Sequence, residues 1–273
     1  MHNNRFIKTI VYGSILISVA GLSQVILTQQ LFNIPFNYRS LSYQLFVLLS
    51  TFLQYNMQRG YSLIHNQYNS ERYQWLLINK KQMMIAMGVS LIAVLFLCNW
   101  LSWTSIIIMI SAELISTLYY LKPFNLRKYG YLKPFLIGLI WVITCTVVPL
   151  IEENLLHNNA WFFITAQFLL VSVLCIVFDI KDIVCDMQDG IKTYANTLGI
   201  KFTKSISVIL AIVYYLLVYF FNDIVFLNLT NGLFTLLLIT AILFAQEKRH
   251  SFYYYVFVDS LLILQLMIVA YLI

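Results

Sequence analysis

Apolar runs close to the length a helix needs to cross a bilayer, about 20 residues, recur nine times in this chain. They lie at roughly 7–27, 41–58, 83–101, 103–121, 131–151, 160–178, 203–221, 224–245 and 253–272. In lipid a helix satisfies its own backbone polar groups. The expected fold is therefore all-α, a polytopic membrane bundle of nine transmembrane helices. Composition agrees, with 61% hydrophobic and 10% charged residues and a mean hydropathy of +0.80, where a soluble domain would carry about 25% charged residues. The second run is short and is expected to continue through Met57–Tyr61 as a helix leaving the membrane. The third and fourth nearly touch, so a tight hairpin is expected around Asn99–Ser102. No low-complexity tract or Pro/Gly linker divides the chain, and residues 1–273 are expected to form a single domain.

The basic residues orient this bundle. Sixteen of the seventeen Lys and Arg fall before the first run or in alternate connections, and only Arg39 lies on the other side, together with Glu152, Glu153 and Asp223. Cytoplasmic loops carry such an excess, so the N-terminus and the longer loops are expected to be cytoplasmic and the C-terminus outside, in a bacterial inner membrane. The net charge of +6 then belongs to inner loops and lipid head groups, and nucleic acid is not an expected partner. Arg5 and Lys8 precede an apolar run with no small-residue cleavage pattern, which reads as an uncleaved first span. Cys98, Cys145, Cys175 and Cys185 show no paired spacing and suggest neither a disulfide framework nor a zinc site.

Four of the eleven acids crowd into one stretch after the sixth run, at Asp179, Asp182, Asp186 and Asp189, with Thr193 beyond them. Steps of three and four keep side chains on one helical face, here within an arc of roughly 80° at 100° per residue. Lys181 and Lys192 would point to the opposite side. A solvated acidic face is the ordinary reading of a charge run. Carboxylates this close repel, however, and call for a cation. A Mg2+ ion carrying a phosphate suits hard oxygen donors. The loop after the fourth run, LYYLKPFNLRKYGYLKP, holds Lys122, Arg127, Lys128 and Lys133. Anchoring on anionic head groups would explain it, and so would a grip on a diphosphate. Glu113 lies inside the fourth run, where an acid usually faces a bundle interior or cavity. Asp259 in the ninth presents the same question less sharply.

These features resemble the UbiA superfamily of intramembrane prenyltransferases. The family's second aspartate motif is matched by Asp179, Asp182, Asp186, Gly190 and Thr193, with Leu198 and Gly199 after it. The basic loop is similar at Tyr119, Pro123, Leu126, Arg127, Lys128 and Lys133, with Asn125 where an Arg is expected. The first motif is degenerate. Asn56 fits its leading Asn, but Met57, Gly60 and Ile64 occupy the three aspartate positions, while Asn69-Ser70-Glu71-Arg72 still resembles the family's segment downstream of that motif. Asn56, Gln58, His65 and Glu71 are the groups left to substitute.

The resemblance implies transfer of an isoprenyl group from a prenyl diphosphate to a hydrophobic acceptor, aromatic or lipid-like, with Mg2+ assistance. Asp179, Asp182 and Asp186 would be the catalytic and metal-binding residues. Asn56, Arg59, Glu113, Tyr119, Lys122, Arg127, Lys128, Lys133 and Thr193 would contact substrate, and membrane lipids would be the surroundings. The alternative is a non-catalytic isoprenoid- or lipid-binding protein that keeps the fold without the chemistry. A secondary transporter would show broken helices with paired midplane polar sites, and the sequence shows little of that.

Overall fold

The computed structural model describes residues 5–65, 71–121, 124–156, 159–221 and 225–270, without the side chains of 64–65 and 225–227. Among them there are no strands, and helices cover each of the nine apolar runs. In chain order they are α1 (Arg5–Tyr12), α2 (Ile15–Leu31), α3 (Tyr38–His65), α4 (Glu71–Ile78), α5 (Lys80–Leu97), α6 (Trp103–Tyr120), α7 (Lys133–Val142), α8 (Val148–Glu152), α9 (Ala160–Lys181), α10 (Ile183–Gln188), α11 (Tyr194–Thr197), α12 (Ile200–Phe221), α13 (Val225–Phe244) and α14 (Asp259–Ala270). Among the described residues six segments are long and apolar enough to cross a membrane, and a seventh if α1 and α2, bent by 57°, count as one. The hairpin between α5 and α6 falls where expected: a 3-10 turn at Cys98–Trp100 leads to Ser102, whose Oγ caps α6 by accepting from the Ser105 amide.

The helix α9 is the axis of the bundle. Val173, Ile176, Val177 and Ile180 on it are fully buried, and it packs on α7 and α12. Gly138 of α7 permits that approach, because a Cβ there would collide with Ser172 Oγ. The helix α2 packs on α3 and α14. By contrast, α5 exposes Ile85, Val89, Ile92, Leu95 and Phe96, the sequence of a helix turned to lipid. Two π-helical turns interrupt the bundle, Ile143–Val147 ahead of Pro149 and Tyr253–Val258 ahead of α14. Such turns widen a helix locally and recur at functional sites.

The first helix breaks at Ser14, a non-glycine residue at φ 68. The break is held from α3. Asn56 Nδ2 donates to the Gly13 carbonyl at 3.2 Å, Ser14 Oγ donates to Asn56 Oδ1 at 3.0 Å, and Arg59 donates to the Tyr12 carbonyl at 3.2 Å and to Ser14 Oγ.

Candidate functional site

The acidic stretch is not one continuous helix. The helix α9 ends at Lys181, and Asp182 forms the break (φ −92, ψ 8) before α10 resumes. The helix α10 then stops in a Schellman turn. Gly190 at φ 68 donates to the Met187 carbonyl at 3.1 Å, and Ile191 donates to the Asp186 carbonyl at 2.8 Å. Glycine at this position removes the Cβ penalty of a left-handed backbone. The expected continuous face therefore ends at Asp189. Thr193, fully buried, turns away to form a capping box with Asn196 at the start of α11. The shared spacing of helix and motif hid this break.

The bend aims the carboxylates at the basic loop. Lys133, at the first position of α7, has its Nζ 2.6 Å from Asp179 Oδ1 and 3.1 Å from Asp186 Oδ2. Both aspartates are fully buried and Lys133 is 9% exposed. Arg127 adds a contact to Asp186 Oδ1 at 3.1 Å and one to Asp189 Oδ2 at 3.7 Å. Lys181 turns back on Asp182 at 2.8 Å, so the expectation that it faces away is corrected, while Lys192 is exposed as expected. Burial opposes charge on Asp182, but Lys181, then Lys133 and Arg127, hold its carboxyl below the usual carboxylate range. Burial would likewise lower the Arg127 pKa, yet Tyr119, Asp186 and Asp189 hold it above its ordinary value.

Loop is fixed to loop by shape as well as by charge. A Cβ on Gly130 would collide with the Lys192 carbonyl oxygen. Beside it Tyr131 donates to Thr197 Oγ1 at 2.8 Å, and its ring meets Tyr194 edge-on at 5.1 Å. Asn125, at the position where the resemblance expects Arg, has φ 38, a left-handed backbone that Asn tolerates better than Arg. Tyr119 is buried close to the charges of Lys133 and Arg127.

The other expected substrate contacts divide. Lys128 is exposed, its Nζ over the neighbouring Tyr129 ring at 5.1 Å, apart from the carboxylates. Glu113 is exposed on α6. Asn56 and Arg59 are occupied with the break in the first helix. Glu71 pairs with Lys8 at 2.8 Å and accepts from the Tyr12 hydroxyl at 2.9 Å, so it is no substitute ligand as placed. Lys122, Pro123, Asn69, Ser70, Asp223 and the side chains of His65 and Ile64 lie outside the described residues. Met57 is 45% exposed, and nothing lies within 4 Å of a Cβ on Gly60. A small apolar cavity of about 180 Å³ lies between α6 and α7, lined by Ile107, Ala112, Ile115, Ile140 and Ile143 among others. At 1.5 Å per residue it begins about 6 Å along α6 from Tyr119, at Ile115, and about 9 Å along α7 from Lys133, at Leu139.

Among the described residues, no three His, Cys, Asp or Glu side chains gather as a ready-made metal cage. A Mg2+ ion does not require one, since it is usually held by one or two carboxylates plus substrate phosphates. The donor chemistry of Asp179, Asp182 and Asp186 fits that mode. Asp179 is fully buried and paired with the Lys133 ammonium through Oδ1, while its Oδ2 has no hydrogen-bond partner among the described residues. A buried carboxylate oxygen left without a partner is costly. Met57 and Gly60 bring no carboxylate to that side.

These features define a membrane-embedded helical protein with an acidic and basic site at one end of the bundle. Residues 76–257 match the profile of the UbiA prenyltransferase family, and the chain belongs to that family. The match begins beyond the degenerate first motif. No curated protein matches the chain. Two solved structures share the fold. One is a UbiA homolog from Archaeoglobus fulgidus bound to GPP and Mg2+, with TM-score 0.60 and 13% identity over 94% of this chain and 97% of that one. The other comes from work on the biosynthesis of digeranylgeranylglyceryl phosphate synthase in membranes, with TM-score 0.59 and 17% identity over 97% of this chain and 94% of that one.

Proposed function

We propose that this protein transfers an isoprenyl group from a prenyl diphosphate to a hydrophobic acceptor, aromatic or lipid-like, at the end of α9. The observation that carries the reading is the cluster of Lys133 and Arg127 on Asp179 and Asp186. Such a cluster would offer cations to phosphate oxygens and oxygen donors to a divalent ion. Asp179, Asp182 and Asp186 would hold Mg2+, which neutralises charge building on a departing diphosphate. Lys133 and Arg127 supply the same electrostatic support from fixed positions. Tyr119 and the apolar wall of α6 and α7 keep water from the allylic cation that ionisation leaves. The whole chain acts as one domain in this reading, with nine crossings of a bacterial inner membrane and the site on its cytoplasmic side. The Mg2+ and GPP held by the Archaeoglobus fulgidus homolog support the choice of ion and of substrate class.

One observation favours a second reading. The missing carboxylates at Met57 and Gly60 suit a protein that binds a prenyl diphosphate without turning it over. Calorimetric titration of geranyl and farnesyl diphosphate with Mg2+, followed by product analysis with aromatic and glycerol-phosphate acceptors, separates the two. Binding with product supports the transferase. Binding without product under every acceptor supports the carrier. Asp182→Ala and Asp186→Ala are each expected to abolish the Mg2+-dependent part of binding, and unchanged binding in both sinks the site.

A further inference from the structure

The lost first motif leaves a charge deficit, and the structure shows what stands beside that position. Arg72 from α4 and Lys181 from α9 converge at the π turn that carries Tyr255, and Arg59 of α3 lies within electrostatic reach of it. The Arg72 guanidinium lies 4.4 Å from the centre of the Tyr255 ring, and Lys181 Nζ lies 4.6 Å from the same ring. Arg59 is near enough to Arg72 for the two charges to oppose each other, and Asp259 feels all three cations. Arg72 donates to the Val11 carbonyl at 3.2 Å, and among the described residues its buried Nε has no hydrogen-bond partner. Three half-buried cations facing Asp259, with Asp182 already bound to Lys181, repel one another unless an anion joins them. The cluster adjoins the aspartate site, because Lys181 is bonded to Asp182 and Tyr73 feels the charges of both Arg127 and Arg72.

We propose that Arg72, supported by Arg59 and Lys181, is a phosphate-binding site that replaces the charge of one metal ion. The diphosphate is then gripped by a single Mg2+ at the second aspartate motif and by Arg72 on the other side. Guanidinium suits this role, since its fixed fork of donors matches phosphate oxygens and its charge is permanent. The proposal rests on the prenyl-diphosphate reading above and adds to it a stoichiometry and a residue.

The test uses the full-length protein in a neutral detergent, with a non-ionising geranyl thiolodiphosphate and with geranyl monophosphate as probes. One Mg2+ per bound diphosphate is expected from metal titration. Arg72→Ala is expected to weaken diphosphate binding at saturating Mg2+ by about ten- to a hundredfold, the worth of a charge-assisted bond. Monophosphate binding should change by less than about threefold, because one phosphate is still held at the aspartates. Arg72→Lys should recover part of the loss. Two Mg2+ per ligand in the parent protein overturns the proposal. So does equal weakening of both probes, which marks Arg72 as a structural anchor of α1. So does an Arg72→Ala variant that loses phosphatidylglycerol binding while keeping diphosphate affinity, which assigns the cluster to lipid head groups. If the parent protein binds no diphosphate, the prenyl-diphosphate reading falls as well; unchanged affinity in Arg72→Ala overturns the arginine site alone.

Discussion

At the residue scale Lys133 matters most. It enters two ion pairs with aspartates that solvent does not reach, so removing it strands the buried Asp179 and leaves Asp186 to Arg127 alone. Breaking one buried pair typically costs roughly 3–5 kcal/mol. Lys133→Met is expected to lower stability by at least that range, read as a drop in the unfolding midpoint in detergent. Adding Asp179→Asn and Asp186→Asn should recover most of it, because no unpaired charge then remains. A single variant that melts like the parent would mean water reaches the cluster and the pairs contribute little. The sequence made these groups visible as an acidic run and a basic loop, because their spacing is dense and the chain has few other charges. It could not show which cation meets which carboxylate. Lys181 illustrates the limit: on an ideal helix it points away, and only the break at Asp182 turns it inward. Arg72 and Tyr255 were out of view for a similar reason, since they lie 183 positions apart in the chain and meet only through packing.

At the element scale the site exists because two loops are pressed together. Gly130 allows it, with the Lys192 carbonyl where its Cβ would be. The atom in the way is backbone, in the turn set by Gly190 and capped by Thr193, so it has no side chain to swing aside. Gly130→Ala is expected to cost about 1–3 kcal/mol, the usual range for overpacking, and to weaken diphosphate binding, since Arg127 moves with the loop. The check is a thermal melt paired with calorimetry on the same preparation. Unaltered melting would show that the loops yield freely and do not pre-form the site. Helix existence and order were legible in the sequence, because each apolar run is long and bounded by polar residues. The breaks were not. Ser14 interrupts the first run next to Gly13, and a Gly-Ser pair permits a kink, but the left-handed backbone at Ser14 is stabilised by Asn56 and Arg59 from a distant helix, an effect of tertiary contact that local pattern does not carry.

At the scale of the whole molecule the number of crossings and the charge distribution constrain one another. Length and hydropathy identify six or seven spans, leaving out α3 and α13. Yet α3 has 28 residues, about 42 Å of helix against a hydrocarbon core of about 30 Å. Its low hydropathy comes from polar groups used inside the bundle: Gln44 bonds Gln29, Gln54 bonds Ser116, Tyr43 bonds the Thr144 carbonyl and Asn56 bonds the first helix. Polar side chains that face protein impose little cost in lipid, so a hydropathy average underrates such helices. The helix α13 is left out on length instead, because its described apolar stretch, Asn228–Phe244, is short. Charge makes the choice sharper. If α3 stayed on one side, Lys80 and Lys81 would move to the outer face. If α13 did, Lys248 and Arg249 would go with it, and the sixteen-to-one split of basic residues would dissolve against the positive-inside rule. The proposed nine crossings would keep all four inside. Alkaline phosphatase fused after Ile78 or after Arg249 is therefore expected to be inactive and a fluorescent reporter there bright, while phosphatase fused after Ala270 is active. Phosphatase activity at Ile78 would remove α3 from the membrane and with it the facing side of the site; activity at Arg249 would do the same for α13 and leave Tyr255 and Asp259 on the wrong face to meet Lys181.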